Sequence, residues 1–101
     1  MKSAIFFQSS FLFVCMEENW AIYNYIILIA SDYKSGRDFA DSHNLDEGTF
    51  RNILEAWEKK KNYQISLSTI YKICRNRNMN IFQFFREVEK NKNINVVYKN
   101  D

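Results

Sequence analysis

An all-α domain of five short helices is what the sequence predicts, on three observations. The 101 residues contain no Pro and only two Gly, too few turn formers for a many-stranded β architecture. After Met16, apolar residues recur at spacings of three and four, the period of one helix face. Ser, Asp and Asn stand where the periodic segments begin, and Asn where two of them stop. A hydrophobic content of 47%, with nine Phe and six Tyr, makes one small aromatic-rich core feasible. A domain of this size is marginally stable and gains from a dimer interface.

Ahead of the periodic part lies "MKSAIFFQSSFLFVC", residues 1–15, an apolar N-terminal extension. It resembles a weak signal peptide, with Lys2 before an apolar run, but Gln8, Ser9 and Ser10 interrupt the run and no A-x-A-like site follows. It is too short and too broken to span a bilayer. Three readings stay open: an upstream start or functionless tail, an apolar arm that packs on the domain or on a dimer partner, and an export signal.

The helices follow in order within residues 16–90. Helix one is expected over Glu17–Tyr33, where Trp20, Tyr23, Ile26, Ile27 and Ala30 share a face; its centre, "YIILIA", also reads as a buried strand. Helix two, Gly36 to about Ser42, takes Ser35 as N-cap and buries Phe39 and Ala40. His43 is a turn residue beside Asn44, which suits a left-handed position. Helix three runs from Asp46, the cap, to about Lys59, with Glu47 suiting the helix dipole and Phe50, Ile53, Leu54 and Trp57 facing inward. Ser66 caps helix four, whose inner face is Leu67, Ile70, Ile73 and Cys74. Asn78 repeats the stop, Asn80 caps helix five, and Ile81, Phe84, Phe85 and Val88 turn inward. Residues 91–101 form a polar tail in which "INVVY", Ile94–Tyr98, reads as a short strand or a frayed end.

The net charge of +2 and pI of about 8.5 allow a nucleic-acid partner without requiring one. Cys15 and Cys74 are the only cysteines and fit a reducing compartment better than a disulfide framework. With one His and no CxxC or HxxxH, no standard metal site assembles. No Gly-rich phosphate loop and no nucleophile–base pattern occurs, so neither an enzyme nor a cofactor is expected.

Two stretches carry a resemblance. In "GRDFADSHNLDEGTFRNI", Phe39–Ala40 precede the turn residue Asn44, Leu45 follows it, and Phe50 and Ile53 anchor the next helix. In "YQISLSTIYKICRNRNMNIFQFF", Ser66–Leu67, Thr69–Ile70, Lys72–Cys74, Asn78 and Phe84–Phe85 keep the spacing of a fourth and fifth helix. Together they resemble the phage-repressor-like (Cro/XRE-type) helix-turn-helix family, over about Tyr25–Glu89. The chain departs from that pattern after helix three. "EAWEKKKNYQ" is longer than the usual turn and lacks its glycine, which would let helix three run on by a turn, and Ile65 stands where the family has Pro.

The resemblance implies a lambda-repressor-like helix-turn-helix domain acting in the bacterial or phage cytoplasm as a transcription regulator. Its expected partners are double-stranded DNA and a second copy, in a homodimer, with no membrane and no small-molecule ligand. Helix three, about residues 46–59, would enter the major groove. Glu47, Gly48, Thr49, Arg51 and Asn52 are the residues expected at base edges, with Arg51 suited to guanine and Asn52 to adenine. Glu55 is a further outward residue of that helix. Ser35, Arg37, Lys59, Lys60 and Lys61 are those expected at phosphates. The rival reading is an interaction module that keeps the fold without reading DNA, such as an antitoxin or a polymerase adaptor. The acid at Glu47 favours it.

Overall fold

The computed structural model describes residues 19–99. The extension of residues 1–15, with Cys15, and the expected start of helix one at Glu17 lie outside them. The described residues form five helices and no strand: α1 (described part 19–30), α2 (Gly36–Ser42), α3 (Glu47–Lys59), α4 (Leu67–Asn76) and α5 (Ile81–Asn91).

The ambiguous "YIILIA" run belongs to α1, and its continuity has a simple cause. Ala21, Tyr23, Tyr25, Ile26, Ile27, Ile29 and Ala30 are all buried. A helix covered on nearly every side needs no polar stripe. The other helices pack around it, each with one apolar face, but Leu67 and Phe85, both expected inward, are 55% and 41% exposed. Leu67 is the first residue of α4, ahead of the buried Ile70, and Phe85 stands edge-on to the buried Phe84 at 5.3 Å. α1 ends at Ala30, short of the expected Tyr33, in a turn closed by the Tyr33 N–H on the Ala30 carbonyl at 3.0 Å.

Local chemistry explains the other boundaries. The Ser35 hydroxyl accepts from the Asp38 N–H at the start of α2, and Ser66 does the same for Thr69 at the start of α4, both at 3.1 Å. Asn80 and Gln83 form a reciprocal capping box on α5. Asp46 holds the N-cap position of α3 but makes no side-chain cap bond. Three helices stop alike: Asn44, Lys60 and Asn78 have φ of 59°, 54° and 59°. In each case the next residue's N–H reaches back across the turn, Leu45 to Ala40, Lys61 to Ala56 and Met79 to Cys74, at 2.8–3.0 Å. This is the Schellman arrangement, which satisfies carbonyls the helix end would leave open. The extra turn expected for α3 therefore does not form, because Lys60 itself takes the left-handed conformation usually given to glycine.

The tail is neither a strand nor a frayed end. Residues 92–99 run back over the helices, with Val96 and Tyr98 against the core. Among the described residues no neighbouring strand offers a ladder, and the Ile94 carbonyl instead accepts from Asn24 Nδ2 of α1 at 3.0 Å.

His43, expected as a turn residue, is a core residue with 1% exposure. Its ring lies 4.3 Å from that of Phe39, Nδ1 is 3.0 Å from the Phe39 carbonyl, and Nε2 is 3.4 Å from Arg77 Nη1. These partners fit a neutral imidazole that donates from Nδ1 and accepts at Nε2. Burial holds its pKa below the usual value, the Arg77 charge adds to that, and the Phe39 carbonyl opposes it. The unfolded chain then binds the proton more readily, so stability is full above about pH 6.5 and is lost as pH falls from there toward the lowered folded value. Urea unfolding between pH 7.5 and 5 is expected to show this loss, at no more than about 1.4 kcal/mol per pH unit, and His43→Gln to flatten it.

Candidate nucleic-acid interface

Asn44 and the Schellman closure set the angle between α2 and α3. Leu45 fills the turn, and Phe50 and Ile53 turn inward beside Phe39 and Ala40, all of them buried. Phe39 and Phe50 rings sit 5.5 Å apart, locking the two helices together. The opposite face of α3 is thereby turned to solvent.

That face carries most of the residues expected at base edges. Gly48, Arg51 and Asn52 are exposed, Glu47 is half-buried at the start of the helix, and Glu55 continues the same stripe two turns on. A methyl group built on Gly48 would meet nothing within 4 Å, so nothing in the fold itself requires a glycine there. Thr49 is half-buried and lies at the edge of the face.

The cations are not loose. Glu47 accepts from Arg37 of α2 through Oε1 and from Arg51 of α3 through Oε2, each at 3.2 Å. Glu55 accepts from Lys59 at 3.3 Å and from Lys61 at 2.9 Å. Lys60 lies 4.9 Å over the Trp20 ring. The bonds from Arg51 and then Arg37 hold the Glu47 carboxyl below the usual carboxylate range, and Lys61 and then Lys59 do so for Glu55. Of the residues expected at phosphates, Ser35 has its hydroxyl committed to the α2 cap, and the four ion-paired or stacked cations nearest α3 (Lys59, Lys60, Lys61 and Arg37) each already have an internal partner.

The sequence contains no Asp or Glu between Glu58 and Glu87. Within that interval Lys72, Arg75 and Arg86 have no carboxylate at ion-pair distance among the described residues. Sequence reasoning found the residues of the α3 face but not the bridge from Arg37. The Glu47–Arg51 and Glu55–Lys59 pairs have the i,i+4 spacing that announces a helix-surface ion pair; Arg37 reaches Glu47 only through the turn.

Other chemistry is scarce. Cys74 is buried, with its thiol pKa raised by burial, which leaves it a small apolar residue rather than a nucleophile. No group of three metal-binding side chains occurs among the described residues, and none of their helices is long and apolar enough to cross a membrane. Compared with known proteins, the chain matches no family model, no curated protein and no solved structure.

Proposed function

We propose that the chain is a sequence-specific DNA-binding transcription regulator that places α3 in the major groove and acts as a homodimer. The observation that carries this reading is the outward face of α3. A left-handed turn and two buried anchors hold the helix against α2, so that Gly48, Arg51 and Asn52 project together with cations at both ends. An exposed Arg–Asn pair of this kind matches the bidentate hydrogen-bonding edges of guanine and adenine. We assign the dimer surface to α5 and the tail, where Phe82 is 77% exposed and Phe85, Ile94 and Val97 are exposed as well. Two copies would then meet half-sites about 10 bp apart on a palindromic operator.

Selection of bound sequences from a random duplex pool tests the reading, and a palindrome is the expected outcome. Arg51→Ala is expected to relax preference at one base position, costing about 1–3 kcal/mol of discrimination there, whereas Lys60→Ala weakens binding evenly on every sequence. Band shifts with both variants on selected and random duplexes make the comparison. An equal loss on all sequences for both variants would remove Arg51 from base readout.

The internal pairing of the α3 cations favours a second reading, an interaction module without readout, such as an antitoxin or polymerase adaptor. Counterion release separates the two. A DNA reader loses affinity steeply as salt rises, and a module of the second kind shows no duplex binding even at low salt.

A further inference from the structure

The cations around the face assigned to DNA are ion-paired to two acids of its own helix. Glu47 and Glu55 sit eight positions apart on one stripe of α3, about 12 Å along its axis. Between them they hold Arg37, Arg51, Lys59 and Lys61. The two acids differ in what they hold. Glu55 takes Lys59 from the end of α3 and Lys61 from the loop just beyond it. Glu47 joins cations of two different helices, and one of those is the side chain best suited to a guanine edge.

Resting on the DNA-binding reading above, we infer that Glu47 is a specificity-determining positioning residue: its carboxylate bridges Arg37 and Arg51, directing Arg51 toward one base and withholding both guanidiniums from indiscriminate contact with phosphate. A carboxylate on a DNA-facing surface repels the backbone everywhere. It lowers binding to all duplexes, and that loss is offset only where Arg51 finds its base. Specificity obtained by penalising wrong partners works in this way. The bridge needs both carboxylate oxygens, one on each arginine, so it depends on the reach of Glu as well as on its charge.

Duplex binding by the full chain, measured against salt on a random duplex and on the selected one, tests this with Glu47→Gln, Glu47→Asp and Glu55→Gln. Glu47→Gln is expected to bind the random duplex about tenfold more tightly, with the slope of log affinity against log salt steeper by about one to two because Arg37 and Arg51 each become available to a phosphate. Its preference at the Arg51 base position is expected to fall. Glu55→Gln steepens the slope similarly through Lys59 and Lys61 but leaves base preference intact. Glu47→Asp keeps the charge and loses the span, so it is expected to lose base preference as Glu47→Gln does. Unchanged preference in Glu47→Gln, or wild-type behaviour of Glu47→Asp, overturns the bridge while leaving DNA binding standing. Absence of salt-dependent duplex binding in the wild type and in every variant overturns the DNA-binding reading itself, and the inference with it.

Discussion

Replacing Asn24 with Ala is expected to lower stability by about 3 kcal/mol, read as a fall in the urea midpoint with little change in slope. Asn24 is a fully buried polar residue in the middle of α1, at 0% exposure. Its Oδ1 accepts from the Trp57 indole N–H at 2.9 Å, and its Nδ2 donates to the Ile94 carbonyl at 3.0 Å and, more weakly, to the Asn91 carbonyl at 3.4 Å. One side chain thus ties α1 to α3, to the end of α5 and to the returning tail. Removing it strands a donor and at least one acceptor in the core, each costing about 1–3 kcal/mol. Partial access of water to Trp57 keeps the sum of about 2–6 kcal/mol toward its lower end. Amide exchange in residues 94–98 is expected to accelerate beyond the global effect, because the tail loses its hydrogen-bonded anchor. Asn24→Asp makes the same point by charge. The carboxylate still accepts from Trp57 but faces the Ile94 carbonyl, so burial raises its folded pKa above the unfolded value near 3.9. Relative to wild type at each pH, that variant is least impaired in acid, and its deficit grows as pH rises through the folded pKa.

The second large effect is expected at Gly36, where Gly36→Ala should cost about 2 kcal/mol. Helix propensity alone predicts the opposite sign, since Ala is favoured over Gly in a helix by up to about 1 kcal/mol. Packing decides. A methyl group at Gly36 would lie 2.4 Å from Phe50 Cε2 and 2.8 Å from Cδ2, with the Tyr98 hydroxyl at 3.2 Å. Phe50 cannot yield cheaply, because it is 2% exposed and wedged between Phe39 and Tyr98, at ring separations of 5.5 and 6.0 Å. Overpacking of this kind costs about 1–3 kcal/mol. Phe50→Leu shortens the side chain in the way, so the two substitutions together should cost less than their sum in a double-mutant cycle. Strict additivity would show that the methyl group meets no resistance from Phe50. Because Gly36 opens α2 and Phe50 clamps α3, the alanine variant is also expected to tilt the face assigned to DNA.

The architecture was legible because its punctuation is local. A cap, a left-handed stop or an apolar face involves residues within about five positions of one another, and those residues are read directly from the chain. Ser35, Asn44, Ser66, Asn78 and Asn80 announced their helix boundaries in this way. Gly48, Arg51 and Asn52 were expected outward on the family resemblance, which sets Phe50 and Ile53 inward, and all three are exposed.

What local pattern did not reveal comes from groups brought together across the fold. Asn24 meets Trp57 and Ile94 at separations of 33 and 70 residues, and His43 meets Arg77 at 34. An isolated Asn in an apolar helix and a His beside a turn carry no mark of burial in their immediate neighbours. The tail "INVVY" is β-branched and aromatic like a strand, yet a strand requires a partner, and only the assembled domain shows that helices lie there instead. Lys60 takes a glycine's conformation because the Ala56 carbonyl and the Trp20 ring are in place to receive it and its neighbour. Arg37 reaches Glu47 because the Asn44 turn folds α2 back beside α3. Short-range sterics and hydrogen bonds specify helices and their ends; the partners of buried polar groups and of surface charges exist only after hydrophobic packing has closed the chain on itself.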